Sequence, residues 1–315
     1  MELRVYRPYF RGKQFELITI RETAPLLAAK GFIPIIEPVR EALGGLGKTL
    51  QALVAAGSRA IVIVNPYHGD HQEDGGSITK LLTDDYLGND AISAGILLRR
   101  DMTADKAMAC YKSHGDHHPV FIHAGFSEPK ALATALGDEL QRTANVFIDT
   151  HATLLYRKHF DSSERFLVKD GFKRQKNADY DPLEAFSDLH VIYKDLGMSG
   201  FGDFLTVGDA YSEGGGPAYA VAIHLTFIDP DRDDEMYIYH FVSDTNSTPT
   251  DPAGKFAQAL AKMMAKLDSG DSKITETTAI TEFRELFEKQ HFPGLGYVKK
   301  LSMKHHIETL AAYLG

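Results

Sequence analysis

The segment Ala60-Ile-Val-Ile-Val-Asn65 is a continuous apolar run that ends in a polar residue. A strand that is buried on both faces needs such a run, and strands of this kind occur mainly in parallel sheets covered by helices. Similar runs recur before and after this segment, and stretches with helical character separate them. The repeated strand–helix order predicts an α/β fold with a parallel sheet and helices outside it.

Eight strands of this kind can be placed in the first two-thirds of the chain. Eight strand–helix units favour closure into a (β/α)8 barrel of the TIM-barrel type, which typically needs about 250 residues. An open, doubly wound parallel sheet is the alternative. The predicted strands are 3–9, 32–39, 60–65, 96–99, 120–123, 146–149, 165–169 and 204–207.

The pattern changes after the predicted barrel. Two long strands, Tyr219–Phe227 and Met236–Val242, flank an acidic turn and predict a β-hairpin. We expect one elaborated domain, with a barrel core at about 1–210 and a hairpin and helical extension at about 217–315. A helix is predicted at about 181–195, and three more after Pro252, near 281–290 and near 302–314.

Composition limits the class of protein. The chain has 315 residues, of which 43% are hydrophobic, so it can bury a large core. The net charge of -9 disfavours broad binding to membranes or nucleic acids, although a local basic cleft is compatible with it. Cys110 is the single cysteine, which excludes a disulfide framework and suits a reducing cytosol. Residues 1–13 are too charged for a signal peptide, so we expect a cytoplasmic protein.

Ionisable residues follow most of the predicted strands. Because parallel α/β folds bind ligands at the carboxyl ends of their strands, these residues are the candidates for a site. Glu37 and Asp149 each end a strongly apolar strand, where partial desolvation tunes a carboxyl pKa for acid–base catalysis. His123 and Asp203 are further catalytic candidates, although His123 could equally be a core histidine bonded to backbone.

Cationic strand ends point to an anionic ligand. Guanidinium and ammonium groups suit phosphate or carboxylate. We therefore predict a hydrolase or lyase that acts on a phosphate-bearing small molecule or nucleotide. A non-catalytic recognition subunit is the alternative, with the Gly-rich segment 200–216 and the hairpin as its contact surface. A nucleic-acid binder is disfavoured by the charge. The candidate ligand-binding residues are Arg11, Lys13, Asn65, Arg99 and Lys169.

Two local motifs carry weaker predictions. Ala42-Leu-Gly-Gly-Leu-Gly-Lys-Thr49 is a relaxed phosphate-loop pattern, and Asp149 could then bind Mg²⁺, the one possible cofactor. A flexible surface turn is the alternative interpretation. His68-Gly-Asp-His71 carries metal-competent side chains, but a glycine-rich loop does not hold them at fixed spacing. We assign no metal ligands.

Several blocks of the sequence together resemble the "beta protein" family, which is named after a bacteriophage protein. The resemblance covers nearly the whole chain. The family has no assigned reaction, and its members are bacterial or phage-encoded, some near mobile or defence-related genes. The resemblance implies a role in phage–host conflict and adds His224 to the ligand-binding candidates. The matching blocks are Tyr9–Glu16, Ile33–Pro38, Phe186–His190, Gly200–Asp203, Glu213–His224 and His240–Asp244.

Overall fold

The computed structural model describes residues 5–315 of the chain. The start of the first predicted strand, at residues 3 and 4, lies outside the described residues. The chain divides into two compact units. The first consists of the described residues up to Lys169 together with Ile192–Phe204, and the second of Asp170–Val191 and Leu205–Gly315. The single-domain prediction stays a prediction.

Eight parallel strands form the sheet of the first unit. Each strand pairs with the next one along the chain, except that β7 pairs with β9 because β8 (Leu183–Ser187) belongs to the second unit. The strands are β1 (Tyr9–Phe10), β2 (Ile35–Ile36), β3 (Ala60–Ile63), β4 (Ile92–Arg99), β5 (Val120–Ala124), β6 (Ala144–Ile148), β7 (Glu164–Lys169) and β9 (Gly200–Asp203).

Backbone contacts between residues 5–7, which precede β1, and β9 close the sheet. A parallel bridge joins Tyr6 to Phe201. The Arg7 N–H donates to the Phe201 carbonyl at 2.8 Å, and the Phe201 N–H donates to the Val5 carbonyl at 2.7 Å. The predicted (β/α)8 TIM-barrel-like fold is therefore confirmed, and the open doubly wound alternative is wrong.

The position of the eighth strand was predicted wrongly. The strand is Gly200–Asp203, and the predicted 204–207 segment is a turn. A Cβ on Gly200 would lie 2.3 Å from the Val5 carbonyl oxygen, and one on Gly202 would lie 2.2 Å from that of Arg7. The closing strand thus needs glycine at these two positions, because the backbone of residues 5–7 lies so close. Glycine has low strand propensity, so the sequence pattern did not predict a strand here.

Helices α1 to α6 follow the barrel strands. They are α1 (Gln14–Lys30), α2 (Gly44–Ala55), α3 (Gly76–Tyr86), α4 (Ala104–Ser113), α5 (Pro129–Leu136) and α6 (Leu154–Arg157). α1 is followed by Gly31, whose φ of 63° is the left-handed conformation that favours glycine. No helix within residues 5–315 is long and apolar enough to cross a membrane.

The phosphate-loop interpretation of residues 42–49 is wrong. These glycines already belong to the first turns of α2, where the Gly47 N–H donates to the Leu43 carbonyl at 2.8 Å. The Thr49 hydroxyl donates to the Gly45 carbonyl at 2.9 Å and accepts a hydrogen bond from Arg21 at 3.1 Å. A phosphate would need free backbone N–H and hydroxyl groups. Here the Gly47 N–H is bonded within α2, and the Thr49 hydroxyl is bonded within α2 and to Arg21 of α1.

The second unit is built on a three-stranded antiparallel sheet in the order β10-β11-β8. The predicted hairpin is confirmed as β10 (Ala222–Asp229) and β11 (Glu235–Val242). The predicted helix at 181–195 is wrong, because β8 pairs with β11 and only α7 (Leu189–Ile192) is helical. The three C-terminal helices are confirmed as α8 (Pro252–Leu267), α9 (Thr278–Glu288) and α10 (Leu295–Tyr313).

Candidate functional site

Strand alternation decides which strand-end residues face the barrel axis. Side chains on a strand point alternately to its two faces. One buried cluster fills the barrel interior, and it includes Ile35 of β2, Ile63 of β3 and Leu97 of β4. The residues two positions further along these strands therefore continue the inward rows at the carboxyl end. They are Glu37, Asn65 and Arg99.

Glu37 is the centre of a hydrogen-bond network at this end of the barrel, and it is fully buried. One carboxylate oxygen, Oε2, accepts from the Tyr9 hydroxyl at 2.9 Å and from the Arg11 guanidinium. The other, Oε1, accepts from the backbone N–H groups of Tyr67 at 2.9 Å and His68 at 3.0 Å. Oε1 also lies 3.1 Å from the His68 Nδ1 atom.

The network keeps Glu37 ionised. Burial by itself raises the pKa of this carboxyl, but hydrogen bonds from His68 and Tyr9 and the Arg11 charge lower the pKa to about 2. A carboxylate with five donors and so low a pKa is a poor proton donor or acceptor near neutral pH. This geometry favours an orienting role for Glu37 over the acid–base role that we predicted from sequence.

The loop after β3 brings His68 to Glu37, and it is fixed by backbone contacts with the chain after β2. The Asp70 N–H donates to the Val39 carbonyl at 3.3 Å, and the Asp70 carboxylate accepts from the Glu41 N–H at 2.8 Å. Gly69 has a φ of +77°, and a Cβ there would lie 2.1 Å from the Val39 carbonyl oxygen. Only glycine fits this approach without displacement of backbone.

Gly69→Ala is therefore expected to shift the loop and to destabilise the protein by about 1–3 kcal/mol, from the left-handed φ and the backbone clash together. Gly47→Ala is the matched control, because Gly47 lies inside α2 with nothing within 4 Å of an added Cβ. It should stabilise by roughly 0.5–1 kcal/mol. Urea unfolding of both variants measures the two effects, and equal stabilities would contradict the described loop path.

Arg99 lies on the same side of the mouth as this network. Its guanidinium carbon is 5.6 Å from the ring centroid of Tyr67, whose side chain is exposed, and its Nε is 3.3 Å from Asp101. Asn65, by contrast, ties β3 to β4: its amide donates to the Leu97 carbonyl at 2.9 Å and accepts from the Leu97 N–H at 2.8 Å. The contacts of Asn65 support a structural role.

His123 does not lie at the mouth. Val120 and Ile122 of β5 belong to the interior cluster. His123 is the next residue on the strand, so its side chain points to the opposite face, towards the outer layer. The Tyr156 hydroxyl is 2.7 Å from its Nδ1, and its Nε2 is 2.9 Å from the Asn145 side-chain oxygen. Burial lowers the pKa of His123 to about 3, so the ring is neutral. His123 is therefore a core histidine, but its partners are the side chains of Tyr156 and Asn145 and not the backbone groups that the prediction named.

The other acidic candidates, Asp203 and Asp149, contact other side chains. Asp203 accepts a hydrogen bond from the Tyr6 hydroxyl at 2.8 Å, and both side chains are buried. Burial and the Asp203 carboxylate raise the pKa of Tyr6 well above its usual range. Asp149 follows β6, four strands from β2 in the barrel order, and its carboxylate is 3.9 Å from Arg157. Asp149 and Glu37 thus lie on opposite sides of the barrel and do not form a carboxylate pair.

Three cationic or imidazole candidates remain. Lys13 precedes α1, and its carbonyl accepts from the Leu17 N–H at 2.9 Å. Lys169 ends β7, opposite Asp203 in the ladder with β9. His224 belongs to the second unit, where its Nδ1 is 2.7 Å from the Nδ1 of His240. Burial, and then the neighbouring His240, lowers the pKa of His224 well below its usual value.

The metal-competent motif has packing contacts of its own. His71 Nε2 lies 2.9 Å from the Arg40 carbonyl, and His71 Nδ1 lies 3.3 Å from the Ser77 hydroxyl. Over the part of the chain that the structure describes, no three His, Cys, Asp or Glu side chains are grouped so as to hold a metal ion.

Sequence reasoning did not assign roles to Tyr9, Tyr67 or His68. Tyr9 could have been found, because it stands two residues before Arg11 at the end of β1, and the alternation of side chains puts positions two apart on the same face. Tyr67 and His68 contribute backbone N–H groups, which leave no trace in residue type. His68 was considered as a metal-competent side chain, without an assigned role in catalysis or ligand binding.

Fold and site together define a (β/α)8-barrel protein with a Tyr–Arg–Glu–His network at the carboxyl ends of β1 to β3. We refer to Tyr9, Arg11, Glu37, Tyr67 and His68 as the mouth network. No protein-family model matches the chain, and no curated protein matches it either. The assignment of a function therefore depends on the network itself.

Proposed function

We propose that the mouth network, together with Arg99 beside it, binds a small anionic molecule that carries a phosphate group, and that the protein acts on it as a hydrolase or lyase. The observation that carries the proposal is the buried, ionised Glu37 held against the Arg11 guanidinium at the carboxyl end of the barrel. In barrels of this type, that end is where ligands bind and reactions occur.

The energetics of the ion pair support a ligand-binding role. Removing two charges from water costs several kcal/mol per ion, and apolar residues of the same volume often give equal or greater stability. The Arg11–Glu37 ion pair is thus better explained by anion binding, which needs a guanidinium held in a fixed position, than by a contribution to stability. Arg11 has 10% of its side chain exposed and Arg99 has 27%, so both border the mouth.

The side chains at the mouth suit a phosphorylated ligand with a flat apolar part. Guanidinium groups bind phosphate oxygens through planar, charge-assisted hydrogen bonds. The overall charge of -9 makes a local cationic group necessary for an anion to bind. The exposed ring of Tyr67 lies beside Arg99 and offers a stacking surface of the kind that nucleobases use.

A thermal-shift screen with nucleotides, phosphosugars and inorganic phosphate tests the proposal, because a ligand that binds the folded state raises its melting temperature. For a ligand that shifts the wild type, Arg99→Gln should weaken binding by about 1.5–3 kcal/mol, or roughly tenfold to a hundredfold. Arg142→Gln is the matched control, since Arg142 is exposed and pairs only with Glu139 in the described contacts.

Two results would contradict the proposal: no shift with any phosphorylated compound, or equal shifts in Arg99→Gln and wild type. Loss of binding in the Arg142→Gln control would show that net charge, and not the mouth, governs the effect. Titration calorimetry of the strongest ligand gives the dissociation constants for the comparison.

The cellular role and location are part of the same proposal. The resemblance to the "beta protein" family supports a role in phage–host conflict, and the single cysteine supports a reducing, cytoplasmic location. A non-catalytic recognition subunit is the second candidate function. Its supporting observation is the exposed glycine run 214–216, followed by Tyr219 with half of its side chain exposed. That alternative would place the function on the surface of the second unit and leave the mouth network structural.

A further inference from the structure

The Glu37 carboxylate determines which nitrogen of His68 carries the proton. An ionised carboxylate can only accept hydrogen bonds. Glu37 Oε1 is 3.1 Å from His68 Nδ1, so Nδ1 must be the donor in this contact. In the neutral imidazole, the lone pair then resides on Nε2.

The same carboxylate also fixes the position of the ring. Oε1 accepts from the backbone N–H of His68 as well as from its side chain, so main chain and ring are held by one atom. The Tyr67 ring packs edge-on against the His68 ring, with 4.9 Å between the centroids. The loop is held next to this ring because Gly69 lies against the Val39 backbone and the Asp70 N–H donates to the Val39 carbonyl. Such a ring loses little freedom when it engages a ligand.

The charge that would form on His68 has a partner in place. When an imidazole accepts a proton it becomes a cation, and a carboxylate on the opposite nitrogen stabilises that cation. Glu37 is on that side, and the His68 side chain is 24% exposed while Glu37 is wholly buried. The Arg11 guanidinium donates to Oε2, and Oε1 is the oxygen that contacts the His68 ring.

We propose that His68 is the proton-transfer residue of the mouth, with Glu37 as its positioning residue. His68 Nε2 accepts a proton from a water molecule or hydroxyl group at the bound phosphorylated molecule, and the resulting imidazolium is neutralised by Glu37. The proton returns from Nε2 to a leaving group or to water. This assignment rests on the proposed function, because it needs an anion bound at the same mouth.

The tautomer of His68 can be measured without a substrate. Long-range ¹⁵N–¹H correlation spectra of the full chain, with the His68 signals assigned by their loss in His68→Asn, report which nitrogen is protonated. We expect a protonated Nδ1 and an unprotonated Nε2 in the wild type at pH 8. In Glu37→Gln that preference should be reduced. A wild-type ring protonated on Nε2 would overturn the proposal.

Acylation by diethyl pyrocarbonate measures the reactivity of the same nitrogen, because this reagent attacks unprotonated imidazole nitrogens. His71 is the matched internal control, since it lies three residues further along the chain and is buried, whereas the His68 side chain is 24% exposed. Peptide mass spectrometry should show His68 modified at least several-fold faster than His71. Inorganic phosphate at a concentration that shifts the melting temperature should slow the reaction at His68 only.

The outcomes separate this inference from the proposed function. Equal rates at His68 and His71 would overturn the assignment of His68 even if phosphate binds. Phosphate that binds without protecting His68 would place the anion away from this ring and would overturn it too. An unprotonated, fast-reacting Nε2 without any phosphate binding would instead refute the anion site and leave His68 as a base for a different ligand class.

Discussion

Glu37→Gln should lower the free energy of unfolding by about 3–5 kcal/mol, the usual cost of leaving one partner of a buried ion pair alone. The substitution keeps the shape of the side chain but turns one acceptor oxygen into a donor. That donor would face the Arg11 guanidinium or the N–H groups of Tyr67 and His68. Urea unfolding of the variant and the wild type at pH 7 measures the loss.

Two further variants separate the ion pair from other effects of the change. Glu41→Gln is the matched control, because Glu41 is exposed in the adjacent loop, and it should change stability by no more than about 0.5 kcal/mol. Arg11→Met combined with Glu37→Gln should be less destabilised than the sum of the single variants, by roughly 0.5–3 kcal/mol. Additive losses, or a loss in Glu37→Gln no larger than in Glu41→Gln, would contradict a buried ion pair.

Acidification from pH 7 to pH 5 should destabilise both units through their buried histidines. Burial lowers the pKa of His123 to about 3, and the pKa values of His240 and His305 to about 4. A histidine with a lower pKa in the folded than in the unfolded protein binds fewer protons when folded. Its stabilisation is therefore complete above the unfolded pKa of about 6.5 and is lost as the pH falls.

The expected size of the effect depends mainly on the unfolded protein. At pH 5 all three histidines are still neutral in the folded protein, whereas in the unfolded chain, with a pKa of about 6.5, each has bound a proton. Each histidine therefore lowers the free energy of unfolding by about 2 kcal/mol between pH 7 and pH 5. Glu37 contributes nothing in this range. Its pKa is about 2 in the folded protein, so its stabilisation is lost only below the unfolded value of about 4.3.

Urea unfolding at pH 7 and pH 5 measures this dependence for the wild type and for single variants. His123→Gln should show a smaller loss between the two pH values, by about 2 kcal/mol, because one titrating group has been removed. His291→Gln is the control, since His291 is exposed, and it should retain the wild-type dependence. An unchanged loss in His123→Gln would mean that His123 is not buried as a neutral ring.

The outcome for the candidate residues shows how far strand ends alone can be interpreted. Glu37, Arg11 and Arg99 were identified because a charge follows an apolar run, and the structure places all three at the barrel mouth. His123 met the same criterion and lies in the outer layer, bonded to Tyr156 and Asn145. The difference is the position along the strand, because consecutive side chains point to opposite faces of the sheet. A shift by one residue therefore moves a side chain from the inside of the barrel to the outside.

Errors in the fold had a related origin. β9 contains two glycines that allow close approach to the first strand, and residues 183–187 form a strand because they pair with β11. Neither property is local, because each depends on a partner that is distant in sequence. Strand propensity is in any case weaker than the packing that a sheet imposes.

What the sequence determined by itself was the alternation of strands and helices through β7, the hairpin, the three final helices and the apolar runs of the barrel core. These features depend on the periodicity of neighbouring residues, which side-chain geometry converts directly into local structure. Only the tertiary structure decided that the barrel closes through Gly200–Asp203, which strand ends point inward, and that His68 is bonded to Glu37. Those results depend on backbone contacts and strand parity across the barrel, and residue type alone does not encode either one.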